Sequence, residues 1–466
     1  MGRPQITSSD TIAAVSTPPG EGGIGIVRLS GRDSLVIADR IFKPSGTGKA
    51  SSFASHTICH GHVTTPDGKE VIDEVLITVM RAPRTYTAED VIEINCHGGV
   101  ISTKRVLELC LDEGARLAEP GEFTKRAFIN GRIDLSQAEA VLDIIRSETE
   151  AFRKIAVGHL RGEFSREIRQ WRDFMIETLS LIELGIDFPG EDVEFSSVKD
   201  ITGRVKEAHS AIRGILETSE KGMVFREGAS VVICGRPNVG KSSLMNVLLR
   251  HDRVIVTPVP GTTRDAVEES INIAGVKVRI SDTAGIIETR DRVELEGIKR
   301  SKEKLAGADI VVFILDSSFP LSDKDEEIFS AVKDKRTVIV ANKTDLSRKL
   351  DLEKARERFD SEEILEVSVL KKEGLEKIED AIADRLFNGE VRMPEGPVVT
   401  NARHKRLLEE AFRCVNRAVK LTDESYNGEL LASDLNEVSH YLGLIIGESV
   451  ENDVLDRIFS NFCIGK

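Results

Sequence analysis

VVICGRPNVGKSS, residues 231–243, is the stretch that decides how this chain is read. The apolar run 231–234 leads into Gly235-x-x-x-x-Gly240-Lys241-Ser242-Ser243, and a helix-compatible segment follows over 244–249. Buried strand, glycine-bearing loop and helix, in that order, form the P-loop pattern. The glycines let backbone N–H groups converge on phosphate oxygens, and the helix N-terminus adds a partial positive charge. Lys241 would reach the β- and γ-phosphates, and the Ser242 hydroxyl would ligate Mg²⁺.

Three further motifs follow in order, which a chance glycine turn would not produce. Asp282-Thr-Ala-Gly285 closes a strand-like stretch; its carboxylate can hold Mg²⁺ through water, and the Gly285 N–H can sense the γ-phosphate. Asn342-Lys343-Thr344-Asp345 follows another strand-like run. The Asp345 carboxylate can accept from guanine N1 and N2 and would repel adenine, so the nucleotide is read as GTP. In Ser368-Val369-Leu370 a backbone N–H can meet guanine O6, although Val369 stands where a smaller residue is usual. Together these place a Ras-like GTPase domain over 222–387.

The chain has 466 residues, 40% apolar and 30% charged, enough for two to four domains with their own cores. No run of 18 apolar residues exists, so no membrane span is expected. The opening residues, MGRPQITSSD, read as neither a signal region nor a myristoylation site. Six scattered cysteines without a C-x-x-C pair point to a reduced cytoplasm. A net charge of −14 argues against non-specific nucleic-acid binding, while leaving room for a local basic face.

Residues 1–130 read as a mixed α+β domain. Strands are expected over 24–29, 75–80 and 91–95, with a connector around Thr85-Tyr86-Thr87 between the last two. A helix is expected over 101–113, capped by Gly114. The glycines of 20–25 precede a strand, so they are not a dinucleotide fingerprint. His56, His60 and His62 lack a further nearby ligand and read as a solvated strand and not as a metal site.

From Ser136 the spacing turns helical to about Gly185, and another helix over 198–221 leads to the P-loop strand. After a connector at 394–397, helices resume over 401–422, 428–443 and 448–460. The expected architecture is therefore α/β plus α: an amino-terminal domain (1–130), a discontinuous helical domain (131–221 and 388–466) and the inserted GTPase domain. Helices around a GTPase suggest a device that turns loop ordering into rigid-body movement. The last residues, ending Phe462-Cys463-Ile464-Gly465-Lys466, stay apolar where tails are normally polar. Phe459, Phe462 and Ile464 are expected to be buried. Cys463 is either a packed thiol or one delivered into a site.

Many GTPases place a Gln after Asp-x-x-Gly to orient the attacking water. Here Ile286 stands there, so another group must act. Glu288, Asp291, Glu294 and Glu296 are all available. Arg264, Arg290 and Arg292 lie in the switch segments, but a bound cation can replace an arginine finger, and the Asn238 carbonyl oxygen can help hold it.

Nine collinear stretches carry a resemblance: DTIAAVSTPPGEGGIGIVRLSG, EDVIEINCHGG, PGEFTKRAFINGRIDLSQAEAV, DFPGEDV, GRPNVGKSS, PGTTRD, DTAGI, NKTD and the final FCIGK. The chain resembles the bacterial MnmE (TrmE) tRNA-modification GTPase family along essentially its whole length. The resemblance implies a cytoplasmic homodimer that works with the flavoprotein MnmG (GidA) in a heterotetramer. Together they add an aminomethyl or carboxymethylaminomethyl group to C5 of the wobble uridine of certain tRNAs. It further implies an amino-terminal domain that dimerises and binds a one-carbon tetrahydrofolate, either 5-formyl or methylene. By motif position Arg28, Glu93, Arg132 and Lys466 would bind folate. Ser242 and Thr263 would ligate Mg²⁺. Asn238, Thr257, Val259 and Thr262 would hold K⁺ in place of an arginine finger, and Glu294 would position the water. Arg132 stands where the family admits Lys or Arg.

Two other readings compete. One is a potassium-dependent GTPase switch in ribosome assembly, which shares the missing Gln. Such proteins usually carry a basic RNA-binding domain, and this acidic chain shows none. The other is a folate enzyme merely regulated by GTP. Tight 5-formyltetrahydrofolate binding disfavours the first, and undermodified wobble uridines in a deletion strain disfavour the second.

Overall fold

The computed structural model describes residues 10–187, 198–251, 270–282, 305–361, 363–389, 396–424 and 426–466. They form two compact units. The first holds the described residues up to Leu142, with Gly158–Ser210 and Leu407–Lys466; the second holds Asp143–Val157 and the described residues from Ala211 to Arg406.

The first unit is built on a seven-stranded sheet, in order β3-β4-β5-β6-β2-β1-β7. Its strands are β1 (Ile12–Val15), β2 (Gly22–Ser30), β3 (Phe42–Pro44), β4 (Thr57–Thr64), β5 (Val71–Met80), β6 (Val91–Gly98) and β7 (Arg116–Leu117). Only the β1–β7 pairing is parallel. Alternation decides which side chains face the core, as period two requires. Val27, Leu29, Ile77, Val79, Ile92 and Ile94 are buried against helices Ser34–Ile41 and Val100–Asp112. The residues between them, Arg28, Thr78 and Glu93, share the opposite face, in the registers Arg28↔Glu93 and Thr78↔Glu93. Near β1 that face is covered by Phe123, which clusters with Ile12 and Ala14 and has Tyr86 packed beside it.

Segments from either side of the GTPase stretch pack together in this unit. Helix Glu163–Asp187 lies against helix Gly428–Ile446. Phe128, Leu135 and Leu142 share a core with Leu455, Phe459 and Phe462. Full burial of a phenylalanine side chain contributes about 1.5–3 kcal/mol, so the last helix, Asn452–Phe459, and the residues beyond it are held in place.

The second unit has a six-stranded sheet, in order β13-β12-β11-β8-β10-β9. Its strands are β8 (Ala229–Gly235), β9 (Ser270–Ile273), β10 (Val276–Asp282), β11 (Ile310–Asp316), β12 (Arg336–Asn342) and β13 (Leu365–Glu366). All pairings are parallel except the β9–β10 hairpin. Parallel strands are covered on both faces and so read as unbroken apolar runs. Accordingly Val231–Cys234 and all seven residues of β11 are buried. This is the Ras-like GTPase fold that the motifs predict.

Some local expectations needed correction. The helical stretch after Ser136 is three helices, Leu135–Arg146, Glu150–Leu160 and Glu163–Asp187. Thr149 Oγ1 caps the second by accepting from the Phe152 N–H, and Gly162 at φ +76° interrupts before the third. The stretch read as a solvated strand is strand β4, which carries His60, Gly61 and His62. His60 bonds Glu74 at 2.7 Å and Ser45 at 2.9 Å, and no group of three metal-ligating side chains occurs among the described residues. No described helix is long and apolar enough to cross a membrane.

Candidate functional sites

In the second unit the P-loop joins β8 to helix Lys241–His251. Asn238 adopts φ +65°, a left-handed conformation that asparagine tolerates better than most residues, and it is exposed. Gly240 adopts φ +105°, and a Cβ there would lie 2.3 Å from Asn342 Nδ2, so no larger residue fits. The Lys241 ammonium donates to the Gly235 and Arg236 carbonyl oxygens at 3.0 and 2.9 Å. It thus lies across the loop that would cradle a phosphate.

Asn342, at the end of β12, ties two loops together. Its Nδ2 donates to the Val239 carbonyl at 2.8 Å, and its Oδ1 accepts from the Val369 N–H at 3.1 Å. The amide read as the partner of guanine O6 therefore has an internal acceptor. Ser368 Oγ donates to Asp345 Oδ1 at 2.6 Å, which holds that carboxylate below its usual range. Lys343, at φ +66°, places its ammonium 2.6 Å from Asp316 Oδ2. Burial alone would raise the Asp316 pKa, but hydrogen bonds from Lys343 and Ser318 outweigh it and the net shift is downward. Asp316 was not a sequence candidate; its place at the end of the otherwise apolar strand β11 is the signal that finds it. Asp282 ends β10, with its backbone in register with Ile233 of β8. Thr257, Val259, Thr262, Thr263, Gly285 and Glu294 lie outside the described residues.

In the first unit three of the four folate candidates converge, and an aromatic ring links the fourth. Arg28 Nη2 and Nε both contact Glu93 Oε1, at 2.7 and 2.8 Å. Its Nη1 donates to the Gly465 carbonyl at 3.2 Å. Arg28 Cζ lies 5.5 Å from the Tyr86 ring centroid and 5.6 Å from that of Phe123. Arg132 Cζ lies 5.0 Å from the same Tyr86 ring. Burial and the charge of Arg28 hold the Lys466 ammonium below its ordinary value, while Glu93 and Cys463 work against that shift.

The last residues are seated by backbone geometry. Gly465 has φ +94°, and a Cβ on it would lie 2.3 Å from the Val15 carbonyl oxygen. The Gly121 N–H points to the Cys463 carbonyl at 3.4 Å. Phe459 and Phe462 are buried as expected, but Ile464 is 52% exposed, because the turn that seats Gly465 on β1 directs residue 464 outward. Cys463 is also exposed. Burial raises the thiols of Cys96 and Cys414 to about 11 and those of Cys110 and Cys234 to about 12, which makes them poor nucleophiles at neutral pH.

A model of the TrmE amino-terminal region ("GTP-binding protein TrmE N-terminus") matches residues 11–132, and one of the MnmE helical domain matches 135–463. The tRNA modification GTPase MnmE of Bacillus licheniformis is 46% identical over 98% of this chain and all of its own length. The chain belongs to the MnmE tRNA modification GTPase family. The MnmE proteins of Clostridioides difficile and Geobacillus kaustophilus are each 45% identical, over 98% and 99% of this chain. Among solved structures, an Era variant of Aquifex aeolicus bound to GDP and AlF4⁻ is 26% identical, covers 40% of this chain and 66% of its own, and has a TM-score of 0.29. Membership in the MnmE family gives the chain its coarse role, a GTP-binding GTPase of tRNA modification.

Proposed function

We propose that this chain hydrolyses GTP with Mg²⁺ and K⁺ bound and couples hydrolysis to modification at C5 of the wobble uridine. The added group would be aminomethyl or carboxymethylaminomethyl. Bound 5-formyl- or methylenetetrahydrofolate would supply the carbon. The chain would act as a cytoplasmic homodimer with a flavoprotein of the MnmG (GidA) kind. Ser242 and Thr263 would hold Mg²⁺; Asn238, Thr257, Val259 and Thr262 would hold K⁺; and Glu294 would position the water.

One observation carries this reading: Gly465 and Lys466 are seated beside the Arg28–Glu93 pair, and Cys463 lies two residues before Gly465 and acts on Lys466. Folate has anionic carboxylates and a polar pterin ring. Guanidinium and ammonium groups suit the first, and a carboxylate accepting two hydrogen bonds suits the second. An exposed thiol in that seat can add, as thiolate, to C6 of a uracil ring and make C5 nucleophilic. The residues present therefore fit the group.

Calorimetry with 5-formyltetrahydrofolate and hydrolysis rates in K⁺ and Na⁺ buffers test it. The wild type should bind folate, Arg28→Ala should bind it about tenfold or more weakly, and hydrolysis should be faster in K⁺. Absence of folate binding by the wild type would remove the folate assignment, and equal rates in the two salts would remove the K⁺ assignment.

A further inference from the structure

Tyr86 lies in a loop that reads from sequence as a mere connector, yet four contacts converge on it. Arg28 and Arg132 both stack on its ring, at 5.5 and 5.0 Å from guanidinium carbon to centroid. Arg132 Nη1 also donates to the Tyr86 carbonyl at 2.9 Å. The Tyr86 hydroxyl bonds Thr124 Oγ1 at 2.8 Å, and Thr124 is fully buried.

The loop around the ring is pinned on both sides. Thr85 Oγ1 donates to the Glu89 carbonyl at 2.6 Å. Thr87 Oγ1 lies 2.6 Å from Ser30 Oγ on β2, and Asn130 Nδ2 donates to the Thr87 carbonyl at 2.7 Å. The ring is thus fixed relative to β2, which carries Arg28, and to the turn after helix Glu122–Ile129, which carries Arg132.

Two guanidinium groups repel one another, and each has long, flexible side-chain torsions. A ring that both approach supplies an electrostatic partner for each and restricts their positions. Arg28 has Glu93 as a further fixed partner, whereas Arg132 takes both its ring contact and its backbone acceptor from Tyr86. We propose that Tyr86 is a positioning residue for the folate site, setting the spacing of Arg28 and Arg132 so that both meet one bound tetrahydrofolate. Removal of the ring takes a partner from both cations, but Arg28 keeps Glu93, the Gly465 carbonyl and the Phe123 ring, so Arg132 loses more of its order. The proposal rests on the folate reading of this site.

The test is 5-formyltetrahydrofolate titration of full-length wild type, Tyr86→Phe and Tyr86→Leu, with thermal melting and GTP hydrolysis measured alongside. Tyr86→Phe keeps the ring and should bind within about twofold of wild type, while Tyr86→Leu should bind about tenfold or more weakly. GTP hydrolysis should be unchanged in both. If Tyr86→Leu fails to fold, Tyr86→Met, unbranched and nearer the native length, carries the same expectation. Wild-type affinity in a folded Leu or Met variant, or equal losses in Phe and Leu, overturns the positioning role and leaves the folate site intact. A wild type that does not bind folate overturns the site and this role together.

Discussion

Arg28 Nη1 donates to the Gly465 carbonyl oxygen at 3.2 Å, joining two residues 437 positions apart in the chain. The same guanidinium holds Glu93 on the neighbouring strand. One side chain therefore connects the sheet face of the first unit to the segment that carries Cys463 and Lys466. Loss of that seat should cost function without unfolding the sheet.

Gly465→Ala tests the seat. A methyl group at φ +94° would be strained and would collide with the Val15 carbonyl. Left-handed strain and a clash of this kind cost about 1–3 kcal/mol. Hydrogen exchange of residues 462–466 should accelerate about tenfold or more, folate affinity should fall, and GTP hydrolysis should persist. Unchanged exchange in this segment would contradict the seating geometry.

Asn342→Ala should weaken both stability and nucleotide binding, because it removes the bridge from the Val239 carbonyl to the Val369 amide. Leaving buried polar groups unpaired costs about 1–3 kcal/mol. A lower melting temperature together with weaker GTP binding is expected. A variant that melts like wild type would show that the bridge does not hold the loops.

Asp345→Asn should shift preference from GTP toward xanthosine nucleotides, since the carboxylate that would accept from guanine N1 and N2 becomes an amide with a donor. Ser368 Oγ already orients one of its oxygens. Competition of GTP, ATP and XTP for the wild type and the variant gives the answer. Comparable turnover of ATP and GTP by the wild type would contradict the base-recognition assignment.

The seated Lys466 gives a pH dependence with a definite sign. Its folded pKa is lowered by burial and by Arg28, so the seated segment favours the uncharged amine. Seating is strongest above the ordinary value of 10.5 and is progressively lost as pH falls through the window down to the lowered value. A folate carboxylate beside the ammonium reverses that preference, so folate binding should take up protons at pH values within that window. Calorimetry in two buffers of different ionisation heat measures the uptake, and Lys466→Met should abolish it. Folate binding without proton uptake would place the carboxylates elsewhere.

The GTPase fold was legible in the sequence because its signals are local. Gly240, Lys241, Asn342 and Asp345 stand at the ends of apolar runs or in the short loops that follow them, and a buried parallel strand leaves that mark by itself. The second site was legible only in part. Arg28 and Glu93 alternate with buried residues, so their shared face follows from period two. Their partners do not follow, since Gly465 and Tyr86 meet them through long-range packing. Phe462 and Ile464 are both apolar, and only the turn at Gly465 decides that the first is buried and the second exposed. Tyr86 carried no periodic signal at all.

In the proposed function the seated segment takes part in tRNA modification chemistry. Nucleoside mass spectrometry of tRNA from a deletion strain, complemented with wild type or with Cys463→Ser, tests it most directly. The Ser variant is nearly isosteric and should fold, bind folate and hydrolyse GTP. The wild type should restore the modified wobble uridine, and Cys463→Ser should not. Full restoration by Cys463→Ser would contradict this and remove Cys463 from the chemistry.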